Sequence, residues 1–238
     1  MKHVVFLLGS AAMLAASGSG DLPLGPPTAL FNGRDLKGFY TFIEGRGVNQ
    51  DPQAVFSVVE GQVRVSGAEY GYFITEKEFT DYYLRVEFRW GLETHPPRRE
   101  NARDSGILFH VTGEEKIWPR SIEFQMIEGG TGDIILVGGT SLTVKGETRN
   151  EGRFDRFGKG PWKDVIGYRD PVGEVEKPLG QWNTLELWTW GGSIRMKVNG
   201  VLVNEGTAAS DRRGKILFQS EGAEVFFRKI ELREIRTP

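Results

Sequence analysis

Hydrophobic and polar positions alternate along most of this chain with a period of two. From Ser121 to Met126 the order is polar, apolar, polar, apolar, which places Ile122, Phe124 and Met126 on one side and Glu123 and Gln125 on the other. That alternation predicts a half-buried strand. It recurs at 55–59 and 62–65, joined at Glu60-Gly61, then at 71–75, at 106–111, and at 82–90 with Tyr82, Leu84, Val86 and Phe88 on one face. Further strands are predicted at 183–190, 193–198 and 201–203, linked by Gly191-Gly192 and Asn199-Gly200. Both dipeptides tolerate positive φ and favour the tight primed turns of hairpins. Two last strands, 215–219 and 224–232, meet at Glu221-Gly222. About ten strands with almost no helical periodicity predict an all-β domain of two packed antiparallel sheets. No repeat of about 20 to 50 residues is present, so neither a propeller nor a solenoid is expected.

Two regions break the pattern. Residues 140–180 are rich in glycine and charge, and only Ser141 to Val144 is strand-like. Arg149, Arg153, Arg156, Lys159, Trp162, Lys163, Tyr168 and Arg169 make the stretch basic and aromatic. A flexible excursion and a flap over the sheet face both fit a loop of this length. At the amino terminus, Lys2 precedes Val4 to Leu8 and a small-residue tract from Gly9 to Gly20, which predicts a secretory signal over 1–20. A Pro-rich linker over 21–29 then leads into a single domain over 30–238. The apolar stretch is too short, and too interrupted by Gly and Ser, to span a bilayer. Export to the periplasm or the exterior is the expectation.

Composition removes several chemistries. The chain has no cysteine, so it has no disulfide, thiolate metal site, cysteine nucleophile or cysteine-linked lipid anchor. With 39% hydrophobic residues in 238 it can bury a full core, and a net charge of -2 leaves no basic footprint for nucleic acid. Only His95 and His110 follow the signal, too few for a three-histidine zinc site. Gly158-Lys159 continues to Gly160 with no Ser or Thr, so there is no phosphate-binding P-loop, and no serine lies in a Gly-x-Ser-x-Gly elbow.

A carbohydrate-type surface remains, since aromatic faces beside carboxylates, amides and arginines match a ring of hydroxyls. Strict alternation sends Glu128 to the apolar side. A one-residue bulge would return it to the face of Glu123 and Gln125, and two carboxylates in separate environments can divide acid and base work. The plainer reading is a solvated face with two surface glutamates. Trp118, just before the strand and followed by Pro119-Arg120, and Trp162 in the 140–180 stretch are candidate stacking residues. Core packing is the expectation for Trp182, Trp188 and Trp190. Alternation also puts Asp104, Leu108 and His110 on one side. His110 is therefore a candidate base oriented by a carboxylate, or a structural histidine at a strand end.

These segments resemble a known family. Leu30 to Phe39 is similar to its opening Asn-Gly-x-x-Leu-x-Gly-Trp motif, Asp104-Ser105-Gly106-Ile107 to its Asn-Ser-Gly-Ile segment, and Glu123-Phe124-Gln125 to its Glu-x-Gln strand. Gly180 to Asn183 resembles its Gly-x-Trp-Asn, and Phe218-Gln219 with Phe227 to Ile230 its closing motifs. The family is that of the 3-keto-disaccharide hydrolases. The resemblance spans roughly residues 28–236 and implies a two-sheet, concanavalin-like jelly roll acting on an oligosaccharide or glycoside. Departures fall at Phe39, Asp104, Glu128 and Lys229. The implied chemistry removes the C2 proton beside a C3 ketone, expels the C1 substituent and hydrates the product. It implies His110 or Glu123 as base, Glu128 as acid, Gln125 and Arg120 as binding groups, and room for a divalent ion on Asp104, His110 and Glu123. A glucanase-type hydrolase using Glu123 and Glu128, and a glycan-binding module without catalysis, are the competing expectations.

Overall fold

The computed structural model describes residues 22–158 and 162–236. The expected signal over 1–20 lies outside the described residues. Its strands run in order as β1 (Thr28–Ala29), β2 (Phe39–Ile43), β3 (Gly47–Val48), β4 (Phe56–Val59), β5 (Gln62–Val65), β6 (Gly71–Thr75), β7 (Phe79–Thr80), β8 (Tyr82–Thr94), β9 (Asp104–Thr112) and β10 (Arg120–Ile127). The remainder are β11 (Ile134–Val137), β12 (Leu142–Val144), β13 (Glu147–Arg149), β14 (Gly152–Phe154), β15 (Asn183–Trp190), β16 (Ser193–Val198), β17 (Val201–Gly206), β18 (Arg213–Ser220) and β19 (Ala223–Glu234). An eight-stranded antiparallel sheet has the order β17-β16-β15-β8-β19-β5-β4, with β1 beside β19. A nine-stranded antiparallel sheet has the order β14-β11-β10-β9-β18-β6-β2-β3, with β7 beside β18. This is a two-sheet jelly-roll sandwich.

Turn chemistry sets the hairpins. Glu60-Gly61, Gly191-Gly192 and Asn199-Gly200 all have positive φ at both positions, between 50° and 83°. Two-residue turns of this kind match the right-handed twist of the strands they join. Between the sheets, Tyr82, Leu84, Val86 and Phe88 of β8 share a core with Ile107, Phe109, Ile122, Phe124 and Met126 of the facing sheet. Phe73 and Phe218 stack at 4.6 Å, and Phe227 of the opposite sheet meets Phe218 edge-on at 5.3 Å. Such pairs add about 0.5–1.5 kcal/mol each beyond the area they bury.

Three stretches depart from expectation. The Pro-rich run after Asp21 is not a free linker where it is described: Thr28 and Ala29 pair with Leu232 and Glu231, and Leu24 bridges to Ile235. The expected core tryptophans do not enter the core. Trp188 and Trp190 occupy the half-buried outward positions of β15, and Trp182 lies under the guanidinium of Arg228, 4.0 Å from the ring centroid. Leu185 and Leu187 take the inward places on β15, so alternation leaves the indoles outside. Residues 140–180 also divide. β12 and β13 form a hairpin, and β14 extends the nine-stranded sheet beside β11. The described residues from Trp162 onward run without strands to β15 and are tied to the sandwich by polar side chains.

Candidate functional site

β10 keeps its alternation from Ile122 to Met126, so Glu123 and Gln125 stand on the outer face of the nine-stranded sheet while Ile122, Phe124 and Met126 point into the core. On β9, Asp104, Gly106 and Leu108 share that outer face. Gly106 opposes Gln125 in register, and Gln219 of β18 flanks it on the other side. A β-carbon at Gly106 would stand 2.2 Å from Oε1 of both Glu123 and Gln219. The missing side chain is what lets those two groups lean toward one another across the strand. Gln125 Nε2 donates to Asp104 Oδ1 at 2.6 Å. Arg98 is ion-paired with Asp104 and, at 2.9 Å, with Asp164. Glu221, just past β18, accepts from Trp118 Nε1 at 2.9 Å, and Tyr70 meets the Trp118 ring edge-on at 6.5 Å.

Trp118 is half exposed at the rim, whereas Asp104, Glu123, Gln125, Gln219 and Glu221 are buried. Burial is the largest influence on all three carboxyls and raises each above its ordinary value. Glu123 is raised further by the charges of Glu221 and Asp104. Asp104 is raised by Glu221 and partly relieved by Arg98, and Glu221 is partly relieved by its bond from Trp118. One guanidinium among three carboxyls cannot balance three negative charges, so the cluster retains protons where ordinary carboxylates would have lost them. Both polar atoms of Gln219 are buried and lack a hydrogen-bond partner among the described residues. An amide left this way costs about 1–3 kcal/mol per group, which suits a donor and acceptor kept for a bound molecule.

His110 is not on this surface, because β9 carries a bulge. From Val111 to Leu108 the strand spends one residue more than β18, and from Thr112 to Phe109 one more than β10. His110 is the extra residue, with φ of 54°. The bulge turns its ring toward the space between the sheets, where it meets Tyr82 edge-on at 5.9 Å. Nδ1 is 3.0 Å from the Asp211 carbonyl, which only accepts, so Nδ1 carries the proton. Burial pushes the imidazole down to about 4. The expected pairing of His110 with Asp104 and the ion site of Asp104, His110 and Glu123 therefore do not assemble. Among the described residues no three His, Asp or Glu side chains are arranged to hold a metal ion.

Only a bulge near Glu128 would return it to the outer face, and the structure has its bulge one strand away, at His110. Glu128 obeys strict alternation and joins the inward side, where Arg103 Nη1 donates to both of its oxygens at 2.9 and 3.0 Å. Arg103 in turn reaches the Gly91 carbonyl of the other sheet. Glu128 and Glu123 thus serve different surfaces. Arg120 is held by Asp211 and the Gly138 carbonyl, and Trp162 packs against Gly130 with Arg153 5.4 Å from its ring centroid. Of the expected site residues the structure brings together Asp104, Glu123, Gln125 and Trp118. Alternation did not reveal Arg98, which lies in a loop, nor Gln219 on β18, nor Glu221 in the turn just past it. The Phe218-Gln219 motif was the only sequence signal for Gln219, and Glu221 was marked only as a turn residue.

The sequence model of the 3-keto-alpha-glucoside-1,2-lyase-like domain matches residues 26–233. Among curated proteins none matches. Solved structures share the fold at low identity. One is a candidate glycosyl hydrolase from Parabacteroides distasonis, 19% identical, covering 88% of this chain and 94% of its own, with a TM-score of 0.58. A second candidate glycosyl hydrolase from that organism is 17% identical over 88% of this chain and 100% of its own, at 0.56. LamAcat from Zobellia galactanivorans is 10% identical over 90% and 97%, at 0.51.

Proposed function

This chain belongs to the 3-keto-alpha-glucoside-1,2-lyase-like domain family, and from that premise we propose that it cleaves 3-keto-glycosides at the outer face of the nine-stranded sheet. The observation that carries the reading is the carboxyl of Glu123 laid over Gly106 beside Gln219, with Asp104 and Glu221 raising its proton affinity. A carboxylate with raised proton affinity is a stronger base than an ordinary one once ionised. Glu123 takes the C2 proton of the sugar. The electron pair left on C2 delocalises into the C3 ketone as an enolate, and the Gln219 amide and Arg98 donate hydrogen bonds to that oxygen. Collapse of the enolate expels the C1 oxygen, which takes a proton from Glu221. Water then adds at C1 and a proton returns to C2, which releases the 3-keto sugar and the free leaving group. Asp104, held by Arg98 and Gln125, fixes the guanidinium in place. Trp118 at the rim supplies a face for the ring to stack on.

The competing glucanase scheme needs Glu123 and Glu128 on one face, and the Arg103 ion pair on the inward side removes Glu128 from it. Matched 3-keto and unoxidised disaccharides, including substrate deuterated at C2, test the proposal. Cleavage confined to the 3-keto sugar with slower turnover or exchange at C2 is expected. Equal cleavage of both sugars without exchange would establish direct hydrolysis, and binding without turnover a glycan-binding module.

A further inference from the structure

Register on the outer face of the eight-stranded sheet sets two cross-strand rows side by side. One reads Lys197, Glu186, Arg85, Glu231, and its neighbour reads Arg195, Trp188, Tyr83, Arg233. Alternating charge in the first row is ordinary for a solvated sheet, because opposed partners on adjacent strands attract. The second row is different. It keeps a half-buried tryptophan, laid against a buried tyrosine, on the outward face of the sheet, where ring surface left in water is a cost. Their centroids are 4.8 Å apart at 48°. Tyr83 Oη donates to Glu186 at 2.8 Å, and Lys197 Nζ stands 5.1 Å from the indole centroid, so both rings are held in place. Leu22, Leu24 and the turn at Asn199-Gly200 add walls, and the resulting groove holds about 700 Å³.

We propose that this groove is a second carbohydrate-binding site, on the sheet opposite the acid cluster, which captures a neutral oligo- or polysaccharide without acting on it. The apolar face of a sugar ring packs on Trp188, which Tyr83 backs, while its hydroxyls meet the flanking guanidinium and carboxylate groups. Interleaved charge favours a neutral glycan over an acidic one. Glu186 and Glu231 stand among the cations of the wall, Arg85, Lys177 and Arg233, so the groove offers a polyanion no uninterrupted run of positive charge. The two sites lie on different sheets, so a polymer held here leaves the acid cluster free for a chain end, with the gain in local concentration that tethering provides.

Native affinity electrophoresis in gels containing soluble β-glucan, xylan or galactomannan tests the site on wild type, Trp188→Ala, Trp188→Phe, Arg233→Ala and Glu123→Gln. Wild type should be retarded in at least one gel. Trp188→Ala should weaken that retardation about tenfold or more in apparent Kd, as loss of a stacking anchor does, and Trp188→Phe should largely restore it. Glu123→Gln should migrate as wild type. No retardation in any gel, equal retardation of wild type and Trp188→Ala, or loss in Glu123→Gln would overturn the proposal. Should Trp188→Ala fail to fold by circular dichroism, Arg233→Ala decides: weaker retardation supports the site, and retardation equal to wild type overturns it. Retardation needs no turnover, so its outcome is independent of the 3-keto chemistry.

Discussion

Glu123 is a carboxyl placed where water cannot solvate it, with two more beside it. Glu123→Gln should cut turnover of a 3-keto disaccharide by about 10²–10⁴-fold, the usual effect of losing a general base. The same change should not lower stability near neutral pH. A carboxyl whose folded-state pKa is raised supplies stability that is fully present below its ordinary 4.5 and lost as pH rises through the folded value. Urea titrations of wild type and Glu123→Gln should therefore diverge above about pH 4.5, with the variant gaining ground as pH rises. Stability of the variant falling behind at high pH would contradict the burial account. His110 carries the opposite sign. Its folded value is down at about 4 from 6.5, so it contributes stability present above 6.5 and lost as pH falls toward 4. His110→Ala should cost about 2–4 kcal/mol by leaving a cavity beside Tyr82 and Phe109, and should spare turnover per folded molecule. That Glu123 and His110 lie in strands was legible, and so was the outer face of Glu123, but alternation put His110 on that face as well. The bulge was not legible, because nothing in Phe109-His110-Val111 announces an extra residue until neighbouring strands impose their register.

At the scale of elements, the run from Trp162 to β15 shows how a glycine-rich segment is held without strands. Glu176 is buried beneath it, accepting from Trp90 Nε1 at 3.0 Å and from the Thr131 amide at 3.2 Å. Burial pushes its carboxyl up to about 7. Docking of this segment should therefore be fully supported below the ordinary 4.5 of a glutamate and weaken as pH rises through 7. Hydrogen exchange of residues 170–178, corrected for intrinsic rate, should accelerate between about pH 5 and 7 relative to the core strands. Glu176→Gln should flatten that dependence. Asp164 is the second anchor, accepting from Arg98, from the side chain of Asn101 and from the backbone of Ala102. Asp164→Ala should free both the segment and the guanidinium beside Asp104. Exchange should then rise over 162–170, with altered KM for the 3-keto substrate and an unchanged β10. The sequence marked 140–180 as irregular and basic. Which of its carboxylates would be buried, as Glu176 is under Trp90, or paired, as Asp164 is with Arg98, depends on partners that lie far from it in the chain.

For the whole molecule, the sandwich separates two surfaces of different character: a buried acid cluster on one sheet and an aromatic groove on the other. The amino-terminal pattern predicts that protein recovered from its native host begins between about Ala16 and Asp21, as a signal ending in small residues requires. Intact mass is the measurement, and retention of Met1 to Gly20 would reject it. The described pairings would survive such cleavage, since they start at Pro23, whose carbonyl accepts from the Arg236 amide.

Period-two alternation and turn dipeptides determined by themselves that this chain is an all-β sandwich, where most of its strands lie and which face of β10 carries Glu123 and Gln125. Those signals are local, because a strand's two faces and a hairpin's turn are set by residues adjacent in sequence. The family motifs added which strands to watch. Tertiary structure alone decided that Gln219 and Glu221 join Glu123 around Gly106, that Arg98 is the cation among them, and that His110 and Glu128 belong to the inward side. It also set Trp188 beside Tyr83. Cross-strand register brings Gln219 to Gly106 and Trp188 to Tyr83, and a one-residue bulge turns His110 inward, whereas Glu128 stays where strict alternation puts it; register is a relation between strands that no single strand contains.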